Sequence, residues 1–415
     1  MSILGFFYFP ELETFPIRLT CNPGVHPVAN NSASVGFTDT RQHYPILDGL
    51  RGVAALMVVA FHLFEAHAAS RFEQIINHGY LAVDFFFVLS GFVIGYAYDD
   101  RWRSMSTAEF FKRRLVRLHP MIVVAMIIGA AMFYLETSPV FPNIEHTPVW
   151  RMVLVAFIGM TLIPVGAALD IRGWGEMHPL NGPAWSLFYE YVANILYALF
   201  FRKFSKPMLA LCVFIAGCVL VHYCVTGPNG DVIGGWSLAP AQMRIGLTRL
   251  LYPFFAGLLL SRLIVVGRVR HAFALSSLII IAALALPRFG GPTDLWKNGL
   301  YDALCIVLVF PLVVYLGASG QVKTATGVKV CGFLGAISYP IYIIHYPFVY
   351  TYTAWVAASK TPLAAALPVT FATFIACVAV AGICLKFYDI PVRKWLGKRL
   401  MRNGATHALS PAASK

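Results

Sequence analysis

Long apolar runs, separated by short polar stretches, alternate along almost the whole chain. Ten of these runs approach or exceed the roughly 18–20 residues that an α-helix needs to cross a bilayer. They predict ten transmembrane helices, at residues 46–65, 79–98, 118–136, 184–201, 207–225, 243–263, 271–287, 299–317, 332–357 and 363–387. An eleventh run, 149–169, contains Pro164 and leads into Asp170 and Arg172, so hydropathy alone does not decide whether it crosses.

The composition also favours a membrane protein. Of the 415 residues, 58% are hydrophobic and only 12% are charged, whereas about 25% of a typical soluble protein is charged. The predicted fold class is therefore all-α, a polytopic membrane bundle of about ten transmembrane helices. The formal net charge of +13 would also suit nucleic-acid binding, but the basic residues cluster in the loops between apolar runs. No nucleic-acid partner is expected.

The positions of the basic clusters predict the orientation of the bundle. If 149–169 does not cross, the clusters in the loop 99–117, in the later loops and in the C-terminal tail all face one side. Positively charged loops stay in the cytoplasm, so both termini are expected there. The run 149–169 is then expected to be re-entrant or interfacial. The predicted domains are a poorly ordered cytoplasmic extension, 1–45, a membrane domain, 46–390, and a basic cytoplasmic tail, 391–415.

The cysteines argue against a metal centre. None of the eight forms a CxxC pair, and most lie within apolar runs. They are interpreted as small hydrophobic side chains, neither zinc ligands nor a disulfide framework. We expect no metal in this protein.

The first apolar run carries two ionisable side chains, Arg51 and His62. Eleven residues turn a helix only about 20° past three full turns, so both side chains lie on one face. Such groups inside a bilayer cost about 2.5–3.5 kcal/mol each, which usually means that they face the protein interior and have a function. Two alternatives stay open: Arg51 reaching the interface as a long side chain, and His62 hydrogen-bonded to a backbone carbonyl.

Two carboxylates are expected near His62. Asp84 lies five residues into the second predicted span and Glu190 six residues into the fourth. At 1.5 Å per residue both fall within roughly 5–9 Å of the outer boundary, the same layer as His62. Either carboxylate would orient the imidazole and make it more basic, as a general base for a hydroxyl requires. Alternatively, Asp84 and Glu190 are ion-pair partners of Arg244 or Arg249.

A second polar group is expected near the cytoplasmic face. Arg114 and Arg117 are i, i+3 neighbours if that stretch is helical, and with Arg51 they would form a cationic funnel for the phosphates of a coenzyme. The competing interpretation is that these arginines only set the membrane topology. His345 lies alone in the middle of a predicted span, where either a function or a hydrogen-bonded core role would explain it.

Four stretches carry a family resemblance. They are LDGLR-x10-H from Leu47 to His62, GYLAVDFFFVLSGFVI from Gly79 to Ile94, FxxRLVRLHP from Phe111 to Pro120, and AWSLFYEY followed much later by ISYPIYIIHYP. Their combination over most of the chain resembles bacterial acyltransferase family three. These are integral-membrane O-acyltransferases that modify polysaccharides and other glycosides.

The resemblance implies transfer of an acyl group, most often acetyl, from cytosolic acetyl-CoA or another acyl-CoA to a hydroxyl of a glycan or lipid-linked sugar. It implies that His62 is catalytic and that Arg114 and Arg117 bind coenzyme A, and it matches Arg51 to the arginine of the first-span motif. Direct transfer and a two-step route through an acylated His62 both remain open. The implied location is the inner (cytoplasmic) membrane, with membrane lipid around a multi-pass protein.

The other matching positions have less defined roles. Ser90 and Gly91 match an SGF element, where a small residue lets another backbone or the thioester arm come close. Glu190 and His345 match recurring positions. The resemblance does not extend to a C-terminal SGNH-type esterase domain, so a second-stage transferase, if the acceptor needs one, is expected to be a separate protein. The main rival function is transport or flipping of a sugar or lipid intermediate, although no internal repeat supports a transporter.

Overall fold

The computed structural model describes residues 44–264 and 267–401, and within these ranges the elements of regular secondary structure are helices. Thirteen α-helical segments make eleven continuous helices, and the described residues form no β-strand. The segments are α1 (Pro45–Glu65), α2 (Ala82–Tyr98), α3 (Thr107–Met132), α4 (Val149–Met160), α5 (Ala184–Leu199), α6 (Lys206–Thr226), α7 (Pro240–Leu263), α8 (Ala272–Ala285), α9 (Trp296–Leu304), α10 (Phe310–Ala318), α11 (Ala325–Ser359), α12 (Leu363–Cys384) and α13 (Ile390–Met401). One π turn joins α9 to α10 and another joins α12 to α13. The extension predicted at 1–45 lies outside the described residues up to position 43.

Eight of the continuous helices in the described ranges are long and apolar enough to cross a membrane, which confirms a polytopic helical membrane protein. The other two predicted spans correspond to α5, with 16 residues, and α8, with 14. The ambiguous run 149–169 contains α4, a helix of 12 residues. At 1.5 Å per residue α4 is about 18 Å long, well short of a hydrocarbon core about 30 Å thick.

Glycines let two helix pairs approach to backbone contact. A Cβ at Gly91 of α2 would stand 2.1 Å from the carbonyl oxygen of Phe254 in α7, and one at Gly257 of α7 would stand 2.0 Å from that of Val88. Gly52 of α1 packs in the same way on Leu334 of α11. Small residues at such crossings stabilise packing between membrane helices. The α1–α11 pair carries the site described below.

The connection between α4 and α5 is folded against α11. Pro347 has no N–H, so the carbonyl of Ile343 one turn earlier lacks its helical donor. The side-chain amide of Asn181 donates to that carbonyl at 2.6 Å. Most residues of 176–187 are buried. A proline in α11 thus creates the docking point for a non-helical segment whose backbone is buried against protein.

Candidate active site

His62 lies in the last turn of α1 with a carboxylate on one ring nitrogen. Its Nδ1 is 2.8 Å from Oε2 of Glu65, three residues later on the same helix. The ring stacks on His345 at a centroid distance of 5.7 Å and meets the ring of Tyr346 edge-on at 4.9 Å. The His62 side chain is 19% exposed. The imidazole is therefore packed among protein groups and still partly accessible.

The contact with Glu65 sets the tautomer of His62. A carboxylate accepts, so Nδ1 carries the hydrogen and Nε2 keeps a lone pair. No residue in the described part of the chain hydrogen-bonds to Nε2. This is the arrangement of a carboxylate–histidine general base. Sequence reasoning missed Glu65, although its signal was present as a carboxylate at i+3 from His62.

His345 is held in one tautomer by its own helix. Its Nδ1 lies 2.8 Å from the carbonyl of Tyr342 and 3.1 Å from that of Ile341, so this nitrogen is the donor. The side chain is fully buried, and its Nε2 has no hydrogen-bond partner among the described residues. Both interpretations offered by the sequence thus describe part of His345, which has a hydrogen-bonded core nitrogen and an unused one beside His62.

Asp84 corrects the expected partner of His62. It forms a buried ion pair with Arg249 of α7, at 2.7 Å from Nη2 and 3.2 Å from Nε. Arg249 also donates to the carbonyls of Tyr80 and Gly234. The close crossing of α2 and α7 places the guanidinium opposite Asp84. The expectation that Asp84 orients His62 is therefore wrong, and the alternative pairing with Arg249 is confirmed.

Glu190 is likewise engaged elsewhere. Its Oε1 accepts from Arg114 at 2.5 Å and from Ser90 at 3.4 Å. The expected contacts of His62 with Asp84 and Glu190 are therefore both wrong, because each carboxylate is paired with an arginine. The expected partners Arg244 and Arg249 are also wrong for Glu190. The guanidinium of Arg114 on α3 is the partner of this carboxylate. A charged group inside a protein needs such a partner at contact distance.

The three arginines predicted to bind a coenzyme form one group, here called the basic cluster: Arg51, Arg114 and Arg117. Arg51 contacts Asp48 at 3.1 Å, Ser338 at 2.7 Å and the carbonyl of Gly335 at 3.3 Å. The hydroxyl of Tyr339, next to Ser338 on α11, donates to the carbonyl of Leu118, which follows Arg117 on α3.

Within the basic cluster only Arg117 is uncommitted. It is accessible to solvent although protein surrounds it on most sides, and it makes no hydrogen bond or ion pair with any described residue. Arg114 is buried on Glu190, and Arg51 is shared between α1 and α11. Among the three arginines, Arg117 is therefore the one whose guanidinium donors have no described partner.

Gly91 contacts another helix and not a coenzyme site. Of the two possibilities named for the SGF element, the structure shows close approach of another backbone, that of α7 at Phe254. No room remains there for a thioester arm. Ser90 is partly exposed and bonded to Glu190. Among the described residues, no group of three or more His, Cys, Asp or Glu side chains is arranged to hold a metal ion.

Comparison with known proteins places the chain in a family. Residues 44–385 match the sequence model of acyltransferase family three, described as an acyltransferase domain. Protein 2 in the picA locus of Rhizobium radiobacter is 33% identical over 187 residues, 43% of this chain and 94% of that protein. O-acetyltransferase OatA of Staphylococcus aureus (strain NCTC 8325 / PS 47) is 23% identical over 85% of this chain, and this region spans 58% of OatA.

A third relative is acyltransferase MdmB of Streptomyces mycarofaciens, 25% identical over 73% of this chain and 78% of its own length. No solved structure matches. The family match covers nearly the whole described membrane region, including His62, Glu190, His345 and the basic cluster. The chain therefore belongs to acyltransferase family three, as a multi-pass membrane O-acyltransferase.

Proposed function

We propose that this enzyme moves an acyl group, acetyl in the first instance, from cytosolic acyl-CoA to a hydroxyl of a glycan or lipid-linked sugar. The observation that carries the proposal is the pair formed by His62 and Glu65, with Nε2 of His62 unused and partly accessible. The name of the staphylococcal relative, an O-acetyltransferase, supports acetyl as the group transferred.

The chemistry follows from the tautomer of His62. Nε2 removes the proton of the acceptor hydroxyl while the hydroxyl oxygen attacks the thioester carbonyl. Glu65 stabilises the imidazolium that forms, as the carboxylate does in other carboxylate–histidine pairs. The carbon–sulfur bond then breaks, and the thiolate of coenzyme A takes the proton back from Nε2. The products are an ester on the acceptor and the free thiol.

His345 and Tyr346 hold the imidazole of His62 in place. The near-parallel stack on His345, at an interplanar angle of 25°, and the edge contact with Tyr346 limit rotation of the ring. Because His345 donates through Nδ1 to its own helix, its Nε2 is a hydrogen-bond acceptor, buried and without a partner among the described residues.

The donor's phosphates are assigned to the basic cluster. Phosphate oxygens form strong charge-assisted hydrogen bonds with guanidinium groups, and Arg117 is the member with free donors. Arg51 and Arg114 raise the local positive potential but are bonded to Asp48 and Glu190. Basic loops face the cytoplasm, so this end of the bundle faces the cytosolic acyl-CoA pool and the protein resides in the inner membrane with both termini inside.

The test compares His62→Ala with His67→Ala, a nearby histidine bonded to Tyr352 instead. Full-length protein in proteoliposomes is given radiolabelled acetyl-CoA and a saccharide acceptor, and surface glycans of expressing cells are analysed by mass spectrometry for added acetyl. We expect His62→Ala to lose at least about 100-fold in activity, in line with loss of a general base, and His67→Ala to stay active. An active, correctly inserted His62→Ala protein would contradict the proposal. A transporter would leave the acetyl group on the coenzyme in every case.

A further inference from the structure

A buried charged cluster lies beside the active site and takes no part in the scheme above. Arg172, in the connection between α4 and α5, is buried with Glu136, four residues after the end of α3, and with Glu176 in the same connection. Its Nη1 is 2.5 Å from Oε2 of Glu136, and its Nε is 4.0 Å from Oε2 of Glu176. The guanidinium lies 3.5 Å from the centre of the Tyr350 ring. Two carboxylates therefore share one cation.

One oxygen of Glu176 is unused. Oε2 accepts from the hydroxyl of Tyr350 at 2.5 Å, whereas Oε1 receives no hydrogen bond from any residue that the structure describes. A Cβ on Gly182 would stand 2.8 Å from this oxygen and 2.7 Å from Cε1 of Tyr346. Oε1 therefore lies close to the Tyr346 ring, and Gly182 packs directly against both groups, with no room for a side chain of its own.

Tyr346 joins this oxygen to the catalytic pair. Its ring is edge-on to His62 at 4.9 Å and edge-on at 4.5 Å to the ring of Tyr350, whose hydroxyl donates to Glu176. The Tyr346 hydroxyl makes no hydrogen bond with another described residue. The Tyr346 ring thus lies between the base and a buried carboxylate that has one acceptor oxygen without a described partner.

We propose that Glu176 binds the acceptor, its Oε1 accepting a hydrogen bond from a second hydroxyl while the hydroxyl to be acylated lies at Nε2 of His62. This inference rests on the proposed function and narrows the substrate class to saccharides with a free hydroxyl close to the acylated one. A buried acceptor that only a hydroxyl satisfies discriminates strongly against analogues that lack it. A role confined to clamping the connection onto α11 would give no such discrimination.

The ionisation of Glu176 supports this assignment. Burial raises the pKa of the Glu176 carboxyl to about 7, although Arg172 and the hydroxyl of Tyr350 favour the charged form, and the charge of Asp170 adds to the rise. The carboxylate, which is the stronger hydrogen-bond acceptor, therefore gains population as the pH rises through neutrality. Glu136 faces the same cluster from the far side of Arg172.

The experiment uses full-length protein in proteoliposomes with acetyl-CoA, methyl hexopyranosides of the gluco, galacto and manno series, and their monodeoxy analogues. We expect Glu176→Gln to raise the KM for the hexoside about 10-fold, the size of one hydrogen bond to a charged group. The KM for acetyl-CoA and its slow hydrolysis by water should stay unchanged. Glu136→Gln is the matched control, without an acceptor-specific effect.

The deoxy analogues test directly for the hydrogen bond between Glu176 and a hydroxyl of the hexoside. One monodeoxy hexoside should lose about 10-fold in the wild type and nothing further in Glu176→Gln, the non-additivity expected of two partners in one bond. The wild-type KM for the hexoside should fall between about pH 6 and pH 8, and the variant should show no such fall. Equal loss of hydrolysis and transfer in Glu176→Gln, additive deoxy effects, or hydrolysis without acylation of any hexoside would each overturn the inference. An active His62→Ala protein would instead overturn the proposed function.

Discussion

Two ion pairs near the same end of the bundle differ in their burial and in the hydrogen-bonding capacity that they leave unused. Asp84 and Arg249 are both almost completely buried, and Arg249 is bonded to two backbone carbonyls as well as the carboxylate. His62 and Glu65 are 19% and 41% exposed, and the imidazole keeps one nitrogen unused. The sequence predicted Asp84 and His62 as catalytic residues, but it did not predict either of these two pairs as a catalytic unit. Only the pair of His62 and Glu65 keeps a ring nitrogen that can bind a substrate.

The difference lies in desolvation and saturation. A fully buried pair costs several kcal/mol per ion to desolvate, and the attraction between its members offsets this only when every remaining donor finds a partner. Arg249 meets that condition within the protein, which suits a role in fixing α2 against α7. A general base must instead leave one nitrogen free and reachable, so His62 gives up some stability for access.

The largest expected effect is the loss of stability when Asp84 and Arg249 are separated. Asp84→Asn leaves a buried guanidinium without its counter-charge, which should cost about 3–5 kcal/mol of folding free energy. We expect a large fall in the melting temperature and in the yield of monodisperse protein. Activity per folded molecule should change by no more than about threefold, because Asp84 does not touch His62. Thermal unfolding in detergent and activity normalised to folded protein measure the two quantities.

The double variant Asp84→Leu with Arg249→Met is the control for this comparison. Removing both charges should recover most of the stability that either single change loses, because an apolar pair of similar volume often replaces a buried ion pair at little cost. Asp84→Asn protein that is stable but inactive would contradict the division drawn here. It would return Asp84 to the catalytic machinery.

The sequence predicted the helices better than the contacts between them, for a physical reason. A bilayer imposes a minimum apolar length, so runs such as 79–98 and 332–357 had to be helical, and α2 and α11 occupy them. Partners across helices depend on crossing geometry instead. The crossing of α2 and α7 at Gly91 places Arg249 next to Asp84. No local sequence pattern predicts this pairing. Glu65 was accessible from sequence, since i, i+3 neighbours meet on any helix.

A smaller but still large effect is expected from Glu65→Gln. The amide retains the shape of the side chain but removes the charge that stabilises the imidazolium and fixes the Nδ1–H tautomer. We expect kcat to fall about 100-fold, less than in fully buried triads because Glu65 is partly exposed. The KM for acyl-CoA should not change.

Initial rates at saturating acetyl-CoA measure the loss in Glu65→Gln, and Gln74→Ala serves as its control. Gln74 donates to the other oxygen of Glu65 at 3.4 Å, so its removal should cost at most a few-fold in kcat, the value of one weak hydrogen bond. Equal kcat values for Glu65→Gln and the wild type would show that the imidazole needs no carboxylate.

The smallest expected effect distinguishes Arg117, whose guanidinium donors have no described partner, from Arg114, which is paired with Glu190. Arg117 is accessible to solvent and unpaired among the described residues, so Arg117→Ala should raise the KM for acetyl-CoA about 10-fold, the value of a charge-assisted bond to phosphate, without loss of stability. Arg114→Ala strips a buried partner from Glu190 and should lower the melting temperature more than it weakens coenzyme binding. Lys112→Ala, on the exposed side of the same helix, controls for a general loss of positive charge. Matching KM and stability changes for Arg114→Ala and Arg117→Ala would mean that the two arginines act as a unit, and that pairing with Glu190 does not withdraw Arg114 from the coenzyme.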